Sequence, residues 1–149
     1  MLVALRLILE LSEISGHPVG DDFKPTSYLH KPGRLGDREG VFAKGLRLKD
    51  SVRFESIHVE DGYVEVVAIV PSESGGREYR VKLTIPLDFE CTCPYQLYHF
   101  NPCKHVYAVT LKLLEQEGVD IGDWRVMYLT YVGLNKLAYL KAKTATLNT

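Results

Sequence analysis

The sequence predicts an α+β fold in which a small antiparallel β meander precedes a cysteine-rich finger and a C-terminal helix. Three observations carry this prediction: strand-like alternation between Ser51 and Ile85, the grouping of all three cysteines at 91–103, and helical periodicity after Cys103. The length of 149 residues suits one compact domain with an ordinary core.

Three consecutive segments have the period of a β-strand. Residues 52–59 and 78–85 alternate between apolar and polar side chains, and residues 63–70 are rich in β-branched ones. The segments 60–62 and 71–76 contain the glycines and the proline expected of short turns. We therefore expect an antiparallel meander of three strands, with the third running directly toward Cys91.

Helices are predicted on the C-terminal side of the finger. Val106, Val109 and Leu113 share one helical face, and Gly118 is a suitable stop. A second helix is expected to begin after Asp123, a good N-cap, and to run to about position 143. More than half of its circumference is apolar, so either it packs on the N-terminal segment or it forms a partner or self-association face.

The N-terminal segment is harder to assign. Residues 3–11 alternate like a strand but consist largely of good helix formers, so strand and helix both remain open. Residues 16–40 hold five glycines and three prolines, which indicates a long irregular connection. We thus divide the chain into an N-terminal segment at 1–40 that packs on the same core, a finger domain at 41–118, and a C-terminal helix and tail at 119–149.

The formal net charge of −1 conceals an uneven distribution of charged residues. Residues 24–53 carry eight Lys and Arg against three Asp and Glu, whereas residues 54–90 carry three against eight. From position 125 onward there are four basic residues and no acidic one. Such blocks are most often a mixed solvated surface, but the basic stretch is also a candidate phosphate-binding surface.

Membrane insertion and secretion are not expected. The apolar N-terminus lacks a basic leading region and a small-residue cleavage site, and no run approaches the length needed to cross a bilayer. Three cysteines confined to one short segment do not suit a disulfide framework either. An intracellular location, in the cytoplasm or in the nucleoid or nucleus, is the expectation.

The most informative segment contains two short pairs of metal-ligand residues. Cys91 and Cys93 form a Cys-x-Cys pair, and Cys103 and His105 form a Cys-x-His pair. Nine residues separate the two pairs. Structural zinc is held by four N or S ligands in a tetrahedron, commonly three Cys and one His. We therefore predict one structural Zn²⁺ on these residues, with His99 as a loop histidine rather than a ligand. Three buried inert thiols, or a Cys91–Cys93 redox pair, are the weaker alternatives.

At these residues the sequence resembles a SWIM zinc finger, whose signature is Cys-x-Cys, a variable spacer and Cys-x-His. Pro94 after the first pair and the run 102–108 around the second also resemble that family, as do residues 42–46 and 79–81, which look like its lead-in strands. The resemblance covers roughly residues 41–117. It implies a ββα-like zinc site used for DNA or protein binding, and by analogy a partner such as a RecA-family recombinase paralogue.

Three classes of function follow from these features. A zinc enzyme is not expected, because four protein ligands leave no open coordination position and no catalytic zinc motif is present; no small-molecule substrate is expected either. An adaptor that makes protein contacts in a DNA-related complex is the main hypothesis. Direct binding of DNA or RNA is the alternative, through Arg34, Arg38, Lys44, Arg47, Lys49, Arg53 and Lys104.

Aromatic residues could also contribute to nucleic-acid binding. Tyr28, Tyr95, Tyr98 and Phe100 could stack on unpaired bases if they are exposed. A short finger also needs bulky side chains around its metal, and for Tyr95 and Phe100 we favour burial in that small core.

Overall fold

The computed structural model describes residues 2–16 and 40–147 and shows an α+β fold. Its elements, in chain order, are α1 (Leu2–Ser15), α2 (Val41–Leu48), a 3₁₀ turn (Lys49–Ser51), β1 (Arg53–Glu60), β2 (Tyr63–Pro71), β3 (Glu78–Ile85), β4 (Asp88–Cys91), α3 (Pro94–Tyr98), α4 (Lys104–Gln116) and α5 (Trp124–Leu147). No helix among the described residues is both long and apolar enough to span a membrane.

The sheet is a meander of four antiparallel strands in the order β1-β2-β3-β4. Strands β2 and β3 pair from Val64 with Ile85 to Pro71 with Glu78, and β3 continues onto β4 through Val81 with Cys91. The expectation that the third strand runs directly to Cys91 is therefore wrong. The chain turns at Pro86 and Leu87, and a separate short strand carries the first cysteine.

One face of the sheet forms the core, and the other is solvated. Alternate residues of the two central strands are buried under α4, among them Val66, Val81 and Leu83. The intervening residues, such as Arg80 and Lys82, face the open side and form ion pairs there. This division follows the two-residue period that identified the strands in the sequence.

The first segment of the chain is a helix, α1, rather than a strand. Ala4, Leu7, Leu11 and Ser15 are buried along one side of it, at the spacing of a helical face. Leu5 and Leu9, which produced the apparent alternation, are exposed. The local pattern alone allowed both structures, and burial of the helical face against α5 and the sheet selects the helix.

The segment at 42–46, which resembles a lead-in strand, is also helical. It forms α2, which packs closely against α4 with Phe42, Gly45 and Leu48 buried. Adding a Cβ atom at Gly45 would place it 2.6 Å from Cβ of Tyr107 and 2.8 Å from the carbonyl oxygen of Lys104. Glycine at this position therefore allows the two helix backbones to approach each other.

Helix α5 is partly buried against α1, as one of the two predicted alternatives requires. Leu134 and Ala138 are buried, and Gly133 lies directly against Leu11. Further along, Lys136 donates a hydrogen bond to the carbonyl oxygen of Ser15 at 3.3 Å. Asp123 caps the start of α5 as predicted, since its carboxylate accepts a hydrogen bond from the backbone N–H of Arg125 at 2.9 Å. The helix extends to Leu147, four residues beyond the predicted end.

Candidate metal centre

The first pair of ligand residues is positioned by the end of the sheet. Thr92 continues the pairing of β4 with β3, because its backbone N–H donates to the carbonyl oxygen of Arg80 at 3.1 Å. Residues two apart in extended backbone point to the same side, so the sulfurs of Cys91 and Cys93 converge. Cys93 also caps α3, and its sulfur accepts a hydrogen bond from the backbone N–H of Gln96 at 3.4 Å.

The second pair is positioned by the start of α4. Cys103 occupies the N-cap position, and His105 lies in the first helical turn. The exposed N–H groups and positive dipole end of a helix favour a thiolate at this place. Because α4 packs on the sheet, its first turn lies over the end of β4 and brings His105 to the two cysteines of the first pair.

The four predicted ligand residues form one buried cluster. Their ligand atoms all lie within 4.8 Å of one another. The Nδ1 atom of His105 lies 3.7 Å from the sulfur of Cys91 and 3.7 Å from that of Cys103. Ligands in a tetrahedral zinc shell with bonds of about 2.0–2.3 Å are separated by about 3.5–3.8 Å, so this arrangement suits zinc and Nδ1 is the nitrogen that would bind it.

The chemistry of the three thiols also calls for a cation. Hydrogen bonds from Cys103 and Cys91 lower the pKa of the Cys93 thiol, whereas burial and the two neighbouring sulfurs raise the pKa of the Cys103 thiol. One thiolate can therefore be stabilised by two thiols, but three thiolates would repel one another in this buried place. A divalent cation bound between the sulfurs removes that repulsion.

The ring of His105 is fixed by its surroundings. Tyr79 of β3 packs against it, with ring centroids 4.9 Å apart and planes tilted by 41°. The Nε2 atom of His105 is buried and has no hydrogen-bond partner within residues 2–16 and 40–147. With Nδ1 directed at the sulfurs, Nε2 is the nitrogen that carries the proton in the neutral, metal-binding form of the ring.

Gln96 organises the residues between the two ligand pairs, which we call the zinc loop (residues 94–102). Its side-chain amide donates hydrogen bonds to the carbonyl oxygens of His99 at 2.9 Å and Asn101 at 3.0 Å. Its side-chain oxygen accepts a hydrogen bond from the backbone N–H of Cys103 at 2.8 Å. Gln96 thus connects both ligand pairs, and nothing in its sequence position predicted this role.

His99 lies in the zinc loop but outside the metal cluster. It is exposed, and its ring packs on that of Tyr95 with centroids 4.5 Å apart. Its side chain therefore belongs to the surface of the loop, as predicted.

The expected burial of Tyr95 and Phe100 around the metal is wrong. Their exposed fractions are 40% and 48%, and Tyr98 between them is 83% exposed. The bulk around the cluster is supplied instead by Tyr79 and by residues of β4 and α4. The zinc loop is short and closely braced, so its apolar side chains point outward rather than under the metal.

The predicted nucleic-acid residues that the structure describes do not form a free basic patch. Arg47 and Lys104 both pair with the carboxylate of Glu73, the former at 2.9 Å. Lys49 pairs with Asp50 and Glu115, at 3.1 and 3.0 Å, and Arg53 pairs with Glu78, at 3.4 Å. Lys44 lies on α2, while Arg34, Arg38 and Tyr28 fall outside the described residues.

Comparison with known proteins agrees with this site. Residues 79–114 match the SWIM zinc finger family, a stretch that runs from β3 through α4 and contains all four clustered ligands. The chain therefore carries a SWIM zinc finger, which confirms the resemblance over this segment. Helices α1, α2 and α5 lie outside the matched residues. No curated protein and no solved structure matches the chain.

Proposed function

We propose that the chain is a recognition module stabilised by one structural Zn²⁺ and that it acts as an adaptor, through protein contacts, in a nucleic-acid-associated complex. The zinc part rests on the buried cluster of three sulfurs and one imidazole nitrogen. Four protein ligands fill a tetrahedral shell, and a filled shell stabilises a fold rather than activating water or substrate. The proposal accordingly includes no catalytic activity.

We favour protein contacts over nucleic-acid contacts on one observation, which is that the cations are already paired with carboxylates. Arg47, Lys49, Arg53 and Lys104 each pair with a carboxylate. A phosphate backbone approaching this surface would meet those carboxylates as well as the cations, and would have to break the existing pairs. Within the described residues, the zinc loop offers a group of exposed apolar side chains, a composition typical of protein interfaces.

The setting of the adaptor follows the family resemblance. SWIM fingers occur in proteins that associate with DNA, so we propose a partner within a DNA-related complex, with a RecA-family recombinase paralogue as one example, and an intracellular location. Direct binding of DNA or RNA is the second candidate. It draws on the exposed rings of Tyr98 and Phe100, which bases can stack upon.

A salt titration separates the two candidates. Fluorescein-labelled dT20, its RNA counterpart and a 20-base-pair duplex are titrated with the zinc-loaded chain from low to physiological salt. The adaptor proposal expects no binding even at about 50 mM salt, where several phosphate contacts would raise affinity by orders of magnitude. Binding that weakens steeply with salt would favour the second candidate. In parallel, a partner captured with the native protein should stay bound after nuclease treatment.

A further inference from the structure

The zinc loop presents the largest concentration of exposed apolar side chains within the described residues. Leu97, Tyr98 and Phe100 are 66%, 83% and 48% exposed, and Tyr98 is the most exposed large apolar side chain of that part of the chain. Single exposed apolar residues are ordinary on protein surfaces. Three within four positions, beside a metal cluster that fixes the backbone, need a reason for being exposed.

These side chains are displayed on a backbone that is already ordered. The side chain of Gln96 makes three hydrogen bonds within the loop, and the ring of Tyr95 packs on His99. The ends of the loop are fixed by the ligand residues Cys93 and Cys103. A surface ordered before binding loses little conformational entropy when a partner arrives, which is the arrangement that favours tight recognition.

A groove of about 580 Å³ runs beside these side chains. Leu97, Tyr98 and Phe100 form one wall, and Val67, Arg80 and Lys82 of the open sheet face form another. Its volume is large enough for one or two amino-acid side chains. The groove therefore joins an apolar wall to a charged one.

The charges around the groove favour a protein segment over nucleic acid. Arg80, Lys82 and Lys141 line it, against Glu90 as the acidic residue. These cations already pair with Glu90 itself and with Glu55, Glu65 and Asp88, which do not line the groove. One carboxylate of a partner can share such a cation, whereas a continuous polyanion would be repelled by the row of acids. Leu97 also offers no flat ring for a base to stack on.

The edge of β4 that borders the groove is closed to a further strand. The backbone N–H of Phe89 donates to the side chain of Asp88 at 2.9 Å, and Lys141 donates to the carbonyl oxygen of Phe89 at 3.0 Å. Lys141 and Asp88 also pair with each other at 2.7 Å. A partner therefore enters with its side chains and does not extend the sheet.

From these observations we infer that the zinc loop and its groove form a docking site for a segment of another protein. The partner segment inserts aliphatic or aromatic side chains into the groove and places one carboxylate next to those side chains. The inference rests on the proposed adaptor function and specifies its partner by chemistry. Leu97 and Tyr98 are the contacts expected to carry most of the binding energy.

The test uses a library of random 12-residue peptides displayed on phage and selected against the zinc-loaded full chain. Enriched peptides should combine apolar residues with Asp or Glu. Labelled synthetic copies should bind the Leu97→Ser/Tyr98→Ser variant about tenfold or more weakly than the wild type. The control variant Leu9→Ser/Tyr139→Ser removes side chains of similar exposure, 59% and 63%, away from the groove, and should bind like the wild type. Zinc content and melting temperature are compared for all three proteins.

The remaining outcomes overturn the inference in distinguishable ways. Enriched peptides that bind both variants equally would move the docking site elsewhere and leave the adaptor function standing. Failure to enrich any peptide would remove the docking site as proposed. Self-association in sedimentation that disappears only in Leu97→Ser/Tyr98→Ser would replace the partner with a second copy. Binding of dT20 that depends on Tyr98 would overturn both the docking site and the adaptor function.

Discussion

Two histidines of the same segment have different roles because they belong to different backbone environments. His105 lies in the first turn of α4, where the helix directs Nδ1 at the sulfurs of Cys91 and Cys103. His99 follows α3 and packs on Tyr95 at the surface. A residue type suited to zinc is therefore not enough, and the element that holds it decides whether it reaches the metal.

We predict that His105→Gln and His99→Gln separate these roles. His105→Gln removes one of four ligands and should lower zinc content and affinity sharply, because zinc has no fourth strong donor to replace it. His99→Gln should keep one zinc per chain and a melting temperature close to that of the wild type. Metal analysis after gel filtration and competition with a chromophoric chelator measure both quantities. Equal zinc loss in the two variants would contradict the assignment.

The ligand residues could be predicted from the sequence, whereas Gln96 could not. Cys91, Cys93, Cys103 and His105 are identified by residue type and by their two short spacings. Gln96 acts through three hydrogen bonds to backbone groups, and such bonds depend on a loop conformation that has no sequence signature. The exposure of Tyr95 and Phe100 was missed for the same reason, since it follows from how Gln96 closes the loop.

At the scale of elements, the contact between α2 and α4 depends on a missing side chain. Gly45 allows the Tyr107 side chain and the Lys104 carbonyl oxygen to lie within 3 Å of where a Cβ atom would be. Tyr107 is buried there between Phe42, at 5.1 Å between ring centroids, and Tyr131, at 6.1 Å. The helices that carry the aromatic cluster and the second ligand pair are therefore packed backbone against backbone.

We predict that Gly45→Ala destabilises the protein. Helix propensity alone would make alanine more favourable by about 0.5–1 kcal/mol. The added methyl group would meet Cβ of Tyr107 and the carbonyl oxygen of Lys104, neither of which can move without the backbone of α4. Helix α2 must therefore move away from α4, and overpacking of this kind costs about 1–3 kcal/mol. Urea unfolding of the zinc-loaded variant should show the net loss. An unchanged or raised free energy of unfolding would show that α2 can move away from α4 without a net loss of stability.

Glu73 links the β2–β3 turn to the start of α4 and to α2. Its carboxylate pairs with Lys104 and with Arg47, and these contacts lower its pKa from 4.5 to about 2. The turn itself is closed by the backbone N–H of Ser72, which donates to the carbonyl oxygen of Arg77 at 2.9 Å. One side chain thereby joins three elements next to the metal cluster.

We predict a pH-dependent effect of Glu73→Gln on the free energy of unfolding. A carboxylate whose pKa is lower in the folded state stabilises that state above its unfolded pKa, and this contribution is lost as pH falls through the range from 4.5 toward 2. The gap between wild type and variant should thus be full at neutral pH and narrower at pH 4. Zinc content is measured at each pH, because protonation of the ligands is a separate route to instability. A constant gap would contradict the role of the charge.

The elements differ in how far the sequence determines them. Strands β2 and β3 have alternating burial that their periodicity reports directly, whereas β1 is almost entirely exposed and α4 is buried on nearly every side. Helix α1 was ambiguous because Leu5 and Leu9 are apolar yet exposed. Helix α2 was wrongly expected to be a strand because the resemblance was read from residues 42–46 alone, and the packing against α4 could not be seen there. Both depend on contacts with residues distant in the chain.

At the scale of the whole molecule, a single hydrophobic cluster joins the described elements and includes the three cysteine ligands. Buried residues of α1, the sheet, α4 and α5 belong to the same cluster as Cys91, Cys93 and Cys103. Two further links hold the outer helices to the finger: Glu10 accepts a hydrogen bond from the backbone N–H of Leu87 at 2.8 Å, and Lys141 pairs with Asp88. The metal site is therefore part of the core rather than an appendage to it.

We predict that removing zinc unfolds or aggregates the whole chain. Binding of structural zinc supplies on the order of 10 kcal/mol at neutral pH, comparable to the entire stability of a domain of this size. Without the cation, the thiol cluster must remain protonated or place repelling charges within the core, and α1 and α5 lose the sheet on which they pack. Strong chelation and Cys103→Ser should both abolish the cooperative thermal transition, followed by far-UV circular dichroism, and added zinc should restore it for the wild type alone. A chelated sample that keeps its far-UV signal and melting temperature would show that the core is stable without the metal.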